Sequence, residues 1–167
     1  MTTKAEFTPE EWTTLRDAPH VVAGAVSVAG ASGLLGTLKE VFSTVSGLVA
    51  GMRSENELIR SLCAREEIQG AQESLRSLVK QAPGADLETV KTRLQSLATE
   101  KVVAALGVLK RKAGPEDVAA YRAFVRGLGE RVSEAAVEGS FLGFGGERVS
   151  EGERKMLAAL DGVLATG

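Results

Sequence analysis

Apolar residues recur at i, i+3, i+4 and i+7 along most of this chain, which predicts amphipathic helices separated by short turns. The first begins at Thr8-Pro9-Glu10-Glu11-Trp12. Proline at the first helical position costs no hydrogen bond, and two glutamates favour the positive end of the helix. Trp12 and Leu15 dock this short helix, and Asp17 and Pro19 restart the chain as a second one carrying Val22, Val26 and Ala29. Ala23, Gly24, Ala25 and Ser27 surround that stripe, so the second helix reads as buried on almost every side. A third helix, from about Thr37 to Gly51, carries Leu38, Val41, Phe42, Val45, Leu48 and Val49.

Composition changes at Arg53. A long charged helix follows from about Glu55 to Gln81, with Leu58, Leu62, Ile68, Leu75, Leu78 and Val79 inward. Arg65, Glu66, Glu67, Glu73 and Arg76 of that helix are expected to meet water. Ala82-Pro83-Gly84-Ala85-Asp86 supplies a stop, a turn and an N-cap. The fifth helix then carries Leu87, Val90, Leu94, Leu97, Val102, Ala105 and Leu109. The short turn predicts that these two helices lie antiparallel as a hairpin. Gly114-Pro115-Glu116-Asp117 repeats the stop-and-start logic for a sixth helix with Val118, Tyr121, Phe124, Val125, Leu128, Val132 and Ala136. A seventh, from Glu151 to about Leu164, places Met156, Leu157, Leu160 and Val163 inward.

Four pairs match the capping box, in which a Ser or Thr oxygen accepts from the third helical N–H and a glutamate reaches back. They are Thr8 with Glu11, Thr37 with Glu40, Ser54 with Glu57, and Ser150 with Glu153. No run alternates long enough to predict a strand, apart from a short extended piece within Phe141–Val149. The expectation is an all-α fold: one helical domain over residues 1–167, a compact bundle of about six or seven helices including a long antiparallel helical hairpin.

Composition supports this reading. Hydrophobic residues make up 44% of the 167 residues but aromatics only 4%, and an Ala, Val and Leu mixture suits close helix packing. The net charge of −2, from 20 basic and 22 acidic side chains, gives no basic surplus for nucleic acid. Lys110-Arg111-Lys112 reads instead as a helix C-terminus where cations complement the macrodipole. Ala18–Leu38 contains no Asp, Glu, Lys or Arg, a length that spans a bilayer. Pro19, Gly24, Gly30, Gly33, Gly36 and interspersed polar residues point to a buried core segment rather than a stable membrane insertion. The lone Cys63 and the absence of a basic-then-apolar leader at Met1–Glu6 lead us to expect a cytoplasmic protein.

Little in the sequence carries chemistry. His20 is the sole histidine and Cys63 the sole cysteine, so no zinc set assembles and any triad would have to use His20. A capping or surface role is expected for His20, and an inert buried role for Cys63. Gly30-Ala31-Ser32-Gly33 lacks the Lys-Ser/Thr pair of a phosphate loop, and Gly143-Phe144-Gly145-Gly146 lacks the strand context of a dinucleotide fingerprint. No catalytic residue, metal ligand or cofactor site is assigned.

The segment Ser140-Phe141-Leu142-Gly143-Phe144-Gly145-Gly146 places apolar side chains where turns are ordinarily polar. Either it tucks onto the core, its glycines allowing tight backbone paths, or Phe141, Leu142 and Phe144 anchor a partner, a second subunit or a lipid-like ligand.

Ala25-Val26-Ser27-Val28-Ala29 with Thr37–Glu40, and the later Ser150–Glu153 box, resemble the all-helical TerB-like proteins of tellurite resistance. In that family an Ala-rich helix leads through an acidic loop into a Ser-x-x-Glu helix. The resemblance implies an all-helical fold over roughly a third of the chain. Gly30, Ala31, Ser32 and Gly33 stand where the family has acidic loop residues, so it implies no metal site here. The function expected is that of a non-enzymatic interaction or scaffold protein, a homo-oligomer or the binder of a protein partner. The alternative is a helical protein that binds a small apolar ligand or lipid.

Overall fold

The computed structural model describes residues 2–30, 48, 51–81, 86–140 and 150–166. Every helix of four residues or more among them is α-helical: α1 Pro9–Ala29, α2 Glu57–Leu62, α3 Arg65–Lys80, α4 Leu87–Lys112, α5 Pro115–Ser140 and α6 Glu151–Thr166. A single 3-10 turn, Lys4–Glu6, precedes them, and no strand occurs among the described residues.

The centre of the bundle is α1. Its most extensive contact is with α4, and it also touches α3, α5 and α6. Leu15, Ala18, Val21, Val22, Ala25, Val26 and Val28 are all buried, because a helix without a polar face is stable only when other helices enclose it. The Thr8 box forms as expected. Thr8 Oγ1 accepts from Glu11 N at 3.2 Å, and Thr8 N donates to Glu11 Oε2 at 2.9 Å.

Proline 19 does not restart the chain. α1 runs unbroken through it, so the expected first and second helices are one. Proline lacks the N–H that would serve the Leu15 carbonyl four residues back, and its ring crowds that oxygen. The hydroxyl of Tyr121, a side chain with no exposed surface, donates to the Leu15 carbonyl at 2.9 Å. A residue on α5 thereby fills the gap in the ladder of α1.

The expected helix Glu55–Gln81 is instead two, broken at Cys63–Ala64. α2 packs on α5 while α3 packs on α1, and one straight helix cannot serve both surfaces. The N-cap also differs. Asn56, not Ser54, caps α2, its Oδ1 accepting from Ile59 N at 3.2 Å. Ser54 Oγ accepts from Asn56 N. Asparagine prevails because its amide also donates to Asp117 Oδ1 at 2.6 Å, a reach that serine lacks.

Asp86 caps α4 by accepting from Thr89 N at 2.9 Å. α3 and α4 follow one another in the chain, but each packs chiefly on α1 rather than on the other. The Ser150–Glu153 box starts α6, with Glu153 N donating to Ser150 Oγ at 3.2 Å and Ser150 N to Glu153 Oε2 at 2.8 Å. Gly152 is required there, since a Cβ would overlap the Ala29 carbonyl at the end of α1. Leu48 is buried, but the Thr37–Glu40 box and the start of its helix lie outside the described residues.

Candidate functional site: a groove between α4 and α5

Most of the buried polar groups have structural partners. Asp117, in the first turn of α5, accepts from Thr2 N at 3.0 Å and from the Asn56 amide. Burial opposes its ionisation, but Thr2, Asn56 and the nearby amino terminus prevail and hold its carboxyl below the usual value. One carboxylate thus ties the amino-terminal segment and α2 onto α5.

Glu67, expected in water, is buried. Lys4 pairs with it from the 3-10 turn, and Arg16 Nη1 lies 3.8 Å away on the other side. Here too desolvation is outweighed by the cations, and the carboxyl lies below its ordinary range. Arg16 continues the cluster to Asp17 at 2.8 Å and to Ser74 Oγ at 3.2 Å. The guanidinium crosses α3 over Gly70, where a Cβ would stand 2.5 Å from Nη1.

His20, expected at a cap or on the surface, is instead buried within α1. Its Nδ1 lies 3.1 Å from the Arg16 carbonyl, and its Nε2 has no partner among the described residues. Desolvation lowers its pKa below 6.5, which favours the neutral ring. Cys63 is fully buried and burial pushes its thiol up to about 12, so the nucleophilic thiolate is scarce at neutral pH. Burial likewise pushes the Tyr121 phenol well up. Among the described residues no three His, Cys, Asp or Glu side chains are grouped to hold a metal.

The remaining polar groups of interest face a groove at the joint of α4 and α5. α4 ends at Lys112 and α5 begins at Pro115, so the last turn of one and the first two turns of the other share a surface. Pro115, Val118, Ala119 and Arg122 project from one face of α5 at i, i+3, i+4, i+7 spacing, and share the groove with Lys110 and Ala113. They enclose about 360 Å³. Apolar side chains and two cations, Lys110 and Arg122, line it.

These cations differ from their neighbours. Lys112 Nζ lies 2.5 Å from Glu11 Oε2 and donates to the Glu6 carbonyl at 3.1 Å, while Arg111 lies 3.9 Å from Glu11 Oε1. The Lys112 hydrogen bond in turn holds the Glu11 carboxyl below its ordinary range. Lys110 and Arg122 have no ion pair among the described residues. Arg122 Nε is buried and has no hydrogen-bond partner among the described residues, although an unmet donor of a charged group is costly.

The groove was not foreseen from the sequence. Lys110, Arg111 and Lys112 all fall in the last turn of α4, as the helix-end reading expects, and Arg111 and Lys112 also lie beside Glu11. The available signal was the Pro115, Val118, Ala119, Arg122 register, in which a cation closes an otherwise small apolar stripe. Phe141, Leu142 and Phe144, the expected contact residues, lie outside the described residues. No helix of the described chain is long and apolar enough to cross a membrane. Comparison with family models, with curated proteins and with solved structures finds no match to this chain.

Proposed function

We propose that this chain is a non-enzymatic interaction or scaffold protein that acts by docking partners. One observation carries the reading: the buried carboxylates of Asp117 and Glu67 and the buried phenol of Tyr121 are engaged in holding the bundle together. Asp117 joins three segments, Glu67 joins two cations, and Tyr121 closes the gap left by Pro19. An enzyme of this size would need acid, base or nucleophile converging in a cleft. Cys63 and His20, the candidate nucleophile and base, are both withdrawn from solvent.

Self-association belongs to the same proposal, with Phe141, Leu142 and Phe144 as its contact. Among the described residues the exposed large hydrophobics are Met52 and Val103, separate positions that make no dimer-sized apolar face. A cytoplasmic setting and a fold kinship with TerB-like proteins fit this reading, the latter without any metal role.

Native mass spectrometry tests it. A defined homo-oligomer, or a complex with a protein partner, and no retained small molecule is expected. The Phe141→Ser/Phe144→Ser variant should return the oligomer to monomer while keeping its helical circular dichroism. A stoichiometric small-molecule adduct would instead favour an apolar-ligand carrier, and an unchanged oligomer in the double variant would remove the loop from the interface.

A further inference from the structure

We draw no further inference here: the strongest candidate, the buried carboxyl group of Glu153 where the first turn of α6 lies over Gly30 at the end of α1, has one oxygen without a hydrogen-bond partner among the described residues, but that atom is closed to solvent and nothing in the structure shows what would reach it.

Discussion

Removing the Tyr121 hydroxyl probes the most unusual contact in the bundle, the one that lets α1 pass through Pro19. In Tyr121→Phe the ring and its packing remain, and the loss is one hydrogen bond of 2.9 Å to the Leu15 carbonyl. That oxygen sits in the core with no amide to serve it, so the variant leaves a buried acceptor unmet. Such an acceptor costs about 1–3 kcal/mol. At about 2–4 °C per kcal/mol for a chain of this length, the melting temperature should fall by about 2–12 °C. A double-mutant cycle isolates the cause. Pro19→Ala restores an N–H for the Leu15 carbonyl, so in that background Tyr121→Phe should cost about 1 kcal/mol or less, a coupling of about 1–2 kcal/mol. Chemical denaturation of the four proteins at neutral pH measures every term. If Tyr121→Phe costs the same with alanine at 19 as with proline, the hydroxyl is not compensating for the missing amide and the argument fails.

Three further outcomes follow from the same geometry. Asp117→Asn should destabilise the chain by about 2 kcal/mol at neutral pH, because an amide cannot accept from both Thr2 and Asn56 as a carboxylate does. Because the folded pKa of Asp117 is depressed, its contribution is present in full above the ordinary value of 3.8 and is lost as pH falls through the lower folded value. An acid-denaturation profile of the variant should be flatter in that window, and an unchanged profile would remove Asp117 as the cause. His20 is also depressed, by burial, so the folded state resists its protonation and stability declines as pH falls below 6.5. His20→Phe should abolish that decline in urea melts at successive pH values; a decline persisting in the variant would assign it to other groups. Gly152→Ala should destabilise by about 1–3 kcal/mol against the Ala29 carbonyl. Gly127→Ala and Gly162→Ala, where an added Cβ meets nothing within 4 Å, should each stabilise by about 0.5–1 kcal/mol; thermal melts that rank the three otherwise would contradict the packing.

Local physics was legible in the residues alone. A cap, a box or a turn closes within three or four positions, so Thr8 with Glu11, Asp86 with Thr89 and Ser150 with Glu153 form where the pattern places them. The apolar stripes of α4, α5 and α6 are equally local, since burial follows helical periodicity. Tertiary structure decided what local rules leave open. Pro19 reads as a break until Tyr121, 106 residues from Leu15, donates to the Leu15 carbonyl that the proline leaves unserved. Glu67 reads as solvated until Lys4, 63 residues away, neutralises it, and Asn56 displaces Ser54 as a cap because Asp117 lies within reach. The groove belongs to this second kind: Lys110 is an ordinary helix-end cation until the fold of α5 makes it line a groove together with Arg122. Helix periodicity orients side chains around one axis, whereas pairing across helices depends on how those axes meet, and only the folded chain sets that.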